Sequence, residues 1–157
     1  MSLAYVALGS NLGNKKENLL KAIELLKIQG IMVLAVSSFL VTKPYGVKDQ
    51  PDFLNGAIKI EYHKSPEELL EVLLSVEKKM GRVRTRHWGE RIIDLDLLLF
   101  DQEIRKTQKL VLPHKDMENR EFVLAPLAEI APEIIPPNRN ETIRELLTNL
   151  RKRDGEK

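Results

Sequence analysis

The spacing of apolar residues switches repeatedly between a period of two and one of about 3.6, and this order of strand-like and helix-like segments restricts the fold more than any other feature. Leu3 to Leu8 is a short apolar run that ends at Gly9 and reads as a strand. Asn11-Leu12-Gly13-Asn14 has turn chemistry. Lys16 to Gln29 carries Leu19, Leu20, Ile23 and Leu26 at helical spacing and stops at Gly30. Ile31 to Val41 is rich in β-branched residues and reads as one second strand. Pro44, Gly46 and Pro51 then break regular structure, which predicts a loop over residues 43–53. Ala57 to Tyr62 alternates, with Ile58, Ile60 and Tyr62 on one face, as a third strand. Ser65 can cap a helix that has Pro66 at its first position and Glu68 to complete a capping box. Leu69, Leu73, Val76 and Met80 form the buried stripe of that helix, and Gly81 is its stop. Residues 82–91 form a basic loop, and Ile92 to Phe100 is a fourth strand. The order β-α-β-β-α-β predicts an α+β, ferredoxin-like sandwich, an antiparallel sheet with helices on one face.

An extension follows. Ile104-Arg105 and Val111-Leu112 can pair as a hairpin, Pro126 to Ile130 reads as a short helical piece, and Thr142 to Leu150 as a last helix with Thr142 and Glu145 as a second capping box. The 157 residues suit a single domain over 1–157. Cysteine is absent, which excludes a thiol nucleophile, a cysteine zinc site, an iron–sulfur cluster and a disulfide framework. No apolar run approaches ~20 residues, and the N-terminus has no basic n-region, so the expectation is a cytoplasmic protein with no membrane span. The 25 basic residues nearly balance the 23 acidic ones, too even a count to argue for nucleic-acid binding.

The fourth strand carries the chemistry. Strict alternation puts Ile93, Leu95, Leu97 and Leu99 on one face, toward the helices. Asp94 and Asp96 share the other face with Leu98 and Phe100. Two carboxylates roughly 6.6 Å apart along a rigid strand can converge on hard cations. The alternative is two solvated acids on an open sheet face. Arg82, Arg84 and Arg91 flank the start of this strand, and guanidinium forks match phosphate oxygens. Trp88-Gly89 offers a flat ring, with Gly81 and Gly89 as hinges. Arg86 and Lys78 read as solvated surface charges. His114, near Arg120 and Phe122, suits a phosphate or base contact or simple packing. His63, His87 and His114 lack metal-ligand spacing, and His63 is expected at a strand end, exposed. Phe53 and Asn55, two apart, can stack and edge-read a flat heterocycle, or pack and satisfy a turn. Gly9-Ser10-Asn11-Leu12-Gly13 lacks the Lys-Ser/Thr of a P-loop and reads as a turn near the site.

Taken together, several segments resemble the 6-hydroxymethyl-7,8-dihydropterin pyrophosphokinases of folate biosynthesis. They are Ala7-Leu8-Gly9-Ser10-Asn11-Leu12-Gly13, Asp49-Gln50-Pro51-Asp52-Phe53-Leu54-Asn55, Gly81-Arg82-Val83-Arg84, Trp88-Gly89-Glu90-Arg91, Asp94-Leu95-Asp96, Pro113-His114 and Asn119-Arg120-Glu121-Phe122. The resemblance runs from about residue 4 to about residue 135. It implies transfer of the terminal pyrophosphoryl group of ATP to the pterin hydroxymethyl group, with release of AMP. It implies two Mg²⁺ ions at Asp94 and Asp96, and catalytic arginines Arg82 and Arg91 on a loop that closes over the substrates. ATP contacts fall to Glu77, Arg84, Trp88, His114 and Arg120. The pterin falls to Phe53 and Phe122 as its two faces, and to Asn55, Thr42 and the loop through Pro44 and Tyr45 as its edge. Nothing demands more than a monomer.

Some relatives carry Tyr at the Phe53 position, Gln at Leu74, Arg at Lys109 and Tyr at Lys115. These departures bear on adenosine and phosphate contacts rather than on the chemistry. The rival from another class is a non-catalytic ferredoxin-like RNA-binding module. It requires exposed aromatics on two neighbouring strands, whereas this chain has 5% aromatic residues and no such run.

Overall fold

The computed structural model describes residues 1–42, 51–81 and 92–155. Chain order is β1 (Ser2–Ser10), α1 (Lys15–Ile28), β2 (Met32–Val36), β3 (Leu40–Thr42), β4 (Phe53–Tyr62), α2 (Pro66–Lys79) and β5 (Asp94–Phe100). The short strands β6 (Arg105–Lys106) and β7 (Val111–Leu112), a 3₁₀ turn (Met117–Asn119), α3 (Glu121–Ile130) and α4 (Ile143–Gly155) follow. The sheet is antiparallel with order β2-β4-β1-β5, and β3 also pairs with β4. No helix among the described residues is long and apolar enough to cross a membrane.

The helix starts follow the sequence closely. Asn14 caps α1 by accepting from the Glu17 N–H, and Ser65 and Glu68 form the expected capping box on α2. Thr142 and Glu145 exchange the same two contacts at α4, at 2.9 and 3.1 Å.

Two cores sandwich the sheet. Ala4, Val6 and Leu8 of β1 point to one face, with Ile58, Ile60, Leu95 and Leu97, and pack against Leu19, Ile23 and Leu26 of α1 and Leu69, Leu73 and Val76 of α2. Tyr5 points to the other face and packs with Leu98, Leu99, Met117, Leu124, Leu127, Ile143, Leu146 and Leu150. The expectation of helices on one face is therefore incomplete. The C-terminal extension is not an appendage but a cover over part of the second face. It is also longer than expected, since α4 runs to Gly155.

Four further expectations are corrected. The second strand, read as continuous over Ile31–Val41, breaks at residues 37–39. There the Ser37 N–H donates to the Ala57 carbonyl at 2.9 Å, and the Ala57 N–H is taken by Ser37 Oγ at 2.9 Å rather than by a backbone carbonyl. A side chain standing in for the ladder ends the regular strand. The third strand starts at Phe53, not Ala57, because Leu40–Thr42 supplies partners for Phe53, Leu54 and Asn55. Alternation along β5 fails after Leu97. Val6 pairs with Leu97 and Tyr5 with Leu99, so Leu98 is an extra residue. Leu99 thereby stays on the second face with Leu98, and Phe100 turns back to the α1/α2 core, the reverse of the expected placement. Finally, α3 begins at Glu121 rather than Pro126, since the Arg120 carbonyl accepts the N–H groups of Val123 and Leu124 at 3.0 Å each.

Gly56 lies where the break in the second strand presses on β4. A Cβ there would stand 2.8 Å from Phe39 Cδ1 and 3.0 Å from Cε1. Gly56→Ala is expected to cost about 1–3 kcal/mol by overpacking, read as a lower urea midpoint; an unchanged midpoint would show that the Phe39 ring has room to move.

Candidate active site

The site is built on the face of the sheet that α3 partly covers. Residues at odd positions of β1 look toward it, and the two beyond Tyr5 are Ala7 and Gly9. Both bring little side chain to the centre of that face, where Gly9 is buried and Ala7 half-buried. Gly9 pairs with Asn55 on one side and Asp94 on the other, while Ala7 pairs with Ala57 and Asp96. Asn55, Gly9 and Asp94 thus form one row across three strands, about 10 Å from end to end at ~4.8 Å per strand spacing. A Cβ on Gly9 would lie 3.1 Å from Asn55 Oδ1, 3.8 Å from Phe53 Cδ1 and 3.9 Å from Asp94 Cβ. Phe53 and Asn55 therefore flank Gly9 on the same side, as their spacing predicts. Gly9 and Ser10 belong to β1 itself, so the turn expected at Gly9 starts only at Asn11. Gly13 in that turn has φ 73°, a conformation glycine adopts without strain.

Asn55 is buried, and its Nδ2 donates to Thr42 Oγ1 at 2.7 Å. Its Oδ1 is left facing Gly9. Thr42 is the last residue of β3 and pairs with Phe53.

Asp94 and Asp96 keep to one face, as expected, with Asp94 half-buried and Asp96 exposed. Between them Leu95 points into the α1/α2 core, and its outward N–H donates to Glu77 Oε2 at 2.8 Å. Glu77 is a buried carboxylate of α2, only 5% exposed. It fastens the outer edge of β5 at the residue that separates the two aspartates, a contact to backbone that no sequence pattern signals.

His114 follows β7 and is anchored to β5 through its N–H, which donates to the Leu98 carbonyl at 3.0 Å. The Asp116 N–H donates to His114 Nδ1 at 3.2 Å, which leaves the proton of the neutral ring on Nε2. Burial pushes the imidazole below the usual histidine range, Arg120 and Lys115 push the same way, and Asp116 opposes them. Arg120 Nη2 lies 3.3 Å from Asp116 Oδ2, and its guanidinium carbon is 5.7 Å from the centre of the Phe122 ring. One short segment therefore carries a neutral imidazole, a guanidinium and an aromatic ring. His63 is exposed and 3.5 Å from Glu61, away from this group.

Arg82, Arg84, Trp88 and Arg91, like Pro44 and Tyr45, lie outside the described residues. Sequence reasoning missed the contributions of Ala7 and Gly9, whose importance is that they carry almost no side chain. It also missed Asp116 as the partner of both His114 and Arg120.

A family model described as 7,8-dihydro-6-hydroxymethylpterin-pyrophosphokinase (HPPK) matches residues 5–132. The chain belongs to this family. It is 47% identical over 150 residues to the 2-amino-4-hydroxy-6-hydroxymethyldihydropteridine pyrophosphokinase of Haemophilus influenzae, covering 94% of this chain and 92% of the relative. It is 45% identical over 134 residues to the enzyme of that name from Bacillus subtilis, covering 85% and 80% respectively. Two solved structures share the fold: an HPPK-DHPS in complex with substrates (TM-score 0.79, 14% identity) and wild-type Plasmodium falciparum HPPK-DHPS with SDX-DHP (0.75, 17%). Each match covers all of this chain, which spans less than half of those solved chains, 46% and 45%. Family membership makes the chain a pyrophosphokinase.

The depressed His114 pKa has a stability consequence. The unfolded imidazole titrates near 6.5 and the folded one lower, so between those values the unfolded state binds more protons. Stability is full above pH 6.5 and falls as pH drops through that window. His114→Asn is expected to flatten the loss as pH falls below about 6.5 in denaturant titrations; an equally steep loss in the variant would assign it to other groups.

Proposed function

We propose that the chain transfers the β,γ-pyrophosphoryl group of ATP to the hydroxymethyl oxygen of 6-hydroxymethyl-7,8-dihydropterin and releases AMP. The observation that carries this reading is the row Asn55–Gly9–Asp94. It sets a buried side-chain amide, suited to the edge of a heterocycle, one bare residue away from a carboxylate suited to the cation of a polyphosphate. The names of the Haemophilus influenzae and Bacillus subtilis relatives support it.

Asn55 and Thr42 bind the pterin edge, with the loop through Pro44 and Tyr45, and Phe53 and Phe122 take its two faces. Asp94 and Asp96 hold two Mg²⁺. The donor set fits such ions: two carboxylates, one half-buried and one exposed, share a face beside a glycine, and among the described residues no third acid or histidine joins them. Magnesium typically takes one or two protein carboxylates and completes its shell with water and phosphate oxygens. When bound, the ions neutralise charge on the triphosphate. The chain's own groups do the rest. His114 donates Nε2–H to a phosphate oxygen, and Arg120, steadied by Asp116 and Phe122, adds a charged fork. Glu77 acts on the nucleotide side through the Leu95 backbone, by holding the carboxylate strand in place. Arg82 and Arg91 are assigned to charge that grows on the transferred group, and Arg84 and Trp88 to ATP. Asn55, by filling its acceptor and donor sites with the pterin edge, fixes which way round the ring lies and so where the hydroxymethyl group points.

The frame reads as ferredoxin-like, one domain over 1–157, acting as a cytoplasmic monomer on small molecules. Asp94→Ala and Asp96→Ala are each expected to abolish turnover while keeping the thermal transition; near-normal activity of either at ordinary Mg²⁺ would remove the metal assignment. The reaction type is decided by chromatography of the nucleotide after turnover. AMP equimolar with the pterin product is expected, whereas ADP would mean attack at the γ-phosphorus and overturn the reading.

A further inference from the structure

The break in the second strand is held by something other than the sheet. Ser38 donates twice to Glu129 of α3: its N–H to Oε1 at 2.9 Å and its hydroxyl to Oε2 at 2.7 Å. These residues are 91 positions apart. The contact uses both oxygens of one carboxylate, so it fixes orientation as well as distance.

Both ends of this contact lead to the pocket. Glu129 stands in the last turn of α3, and Phe122 in its first. Seven residues separate them, which on a helix is about two turns and ~10.5 Å, so the two side chains leave α3 on nearly the same side. Ser38 lies two residues before β3, whose last residue is Thr42, the partner of Phe53 in the ladder and of Asn55 through its hydroxyl. One wall ring is therefore on α3, and the other ring and the amide are on the strands beneath it. α3 lies over β4, β1 and β3, and Glu129 joins α3 to the strand break by a directional polar contact.

We propose that Glu129 is a positioning residue for the pterin pocket, its two-pronged hold on Ser38 setting the gap between the Phe122 ring and the Phe53–Asn55 pair. This rests on the pocket assignment made above. Releasing the hold frees α3 to tilt and slide over the sheet. The pterin, gripped between two elements, then loses affinity. The nucleotide side loses little, because Asp94 and Asp96 belong to β5, which Glu77 holds through Leu95, His114 is held to β5 at the Leu98 carbonyl, and Arg120 is steadied by Asp116 ahead of α3.

The test is calorimetry on the full chain with Mg²⁺. The affinity of a non-hydrolysable ATP analogue is measured alone, and that of 6-hydroxymethylpterin in the presence of the analogue. Glu129→Ala is expected to weaken pterin binding about three- to tenfold while leaving analogue binding within about twofold. Glu129→Gln keeps one acceptor oxygen and should recover part of the loss. Ser38→Ala should fall between wild type and Glu129→Ala, and combining it with Glu129→Ala should add nothing further. It also carries the test if Glu129→Ala does not fold. Unchanged pterin affinity in these variants, or an equal loss for pterin and analogue, overturns the positioning role. Phe122→Ala is the control: if it leaves pterin affinity unchanged, the pocket assignment fails instead.

Discussion

The register of β1 against its two neighbours is the constraint on which the rest depends. Nine consecutive pairs, Ser2 with Tyr62 through Ser10 with Leu54, lock β1 to β4, and a second ladder locks it to β5. A slip of one residue in either ladder would exchange the two faces of a strand. It would put Val6 and Leu8 where Ala7 and Gly9 now leave space, and drive carboxylates into an apolar core. Burial of Ala4, Val6 and Leu8 against α1 and α2 makes such a slip costly, so the core on one side of the sheet determines where the site residues stand on the other.

The second core has a different task. Tyr5, Leu98 and Leu99 present an apolar patch at one end of the site face, and α3 and α4 close over it. Asp94 and Asp96 lie outside this core, half-buried and exposed, and the start of α3 carries Arg120 and Phe122. Sheet and extension thus each supply part of the site, the sheet the amide and carboxylates, the extension the ring and the cation.

Much of this frame was legible in the residues. Helix starts were readable because a cap is local: Ser65 and Glu68, or Thr142 and Glu145, meet within one turn. The shared face of Asp94 and Asp96 was readable because they lie before any irregularity in β5. What escaped was non-local. The split of the second strand depends on Ser37 meeting Ala57, the early start of β4 on Leu40–Thr42 lying alongside, and the hold on Ser38 on a helix far along the chain. The resemblance offered Glu77 as a nucleotide contact, and the structure adds that its carboxylate accepts a backbone N–H of β5 across the interface. Composition and period report which side chains want burial; they do not report which backbone group a buried carboxylate will find.

The extra residue at Leu98 divides β5 into two independent halves. Up to Leu97 the strand obeys the alternation that serves the carboxylates; beyond it, the phase is reset to serve the α3/α4 core. Changes in the length or packing of the chain after Leu98 are therefore absorbed at the bulge rather than transmitted back along the ladder. The part of the strand that carries the two aspartates is therefore phased apart from the part that meets the extension. A strand of strict alternation would offer no such insulation, since any shift at its far end would have to be accommodated by the carboxylate end as well.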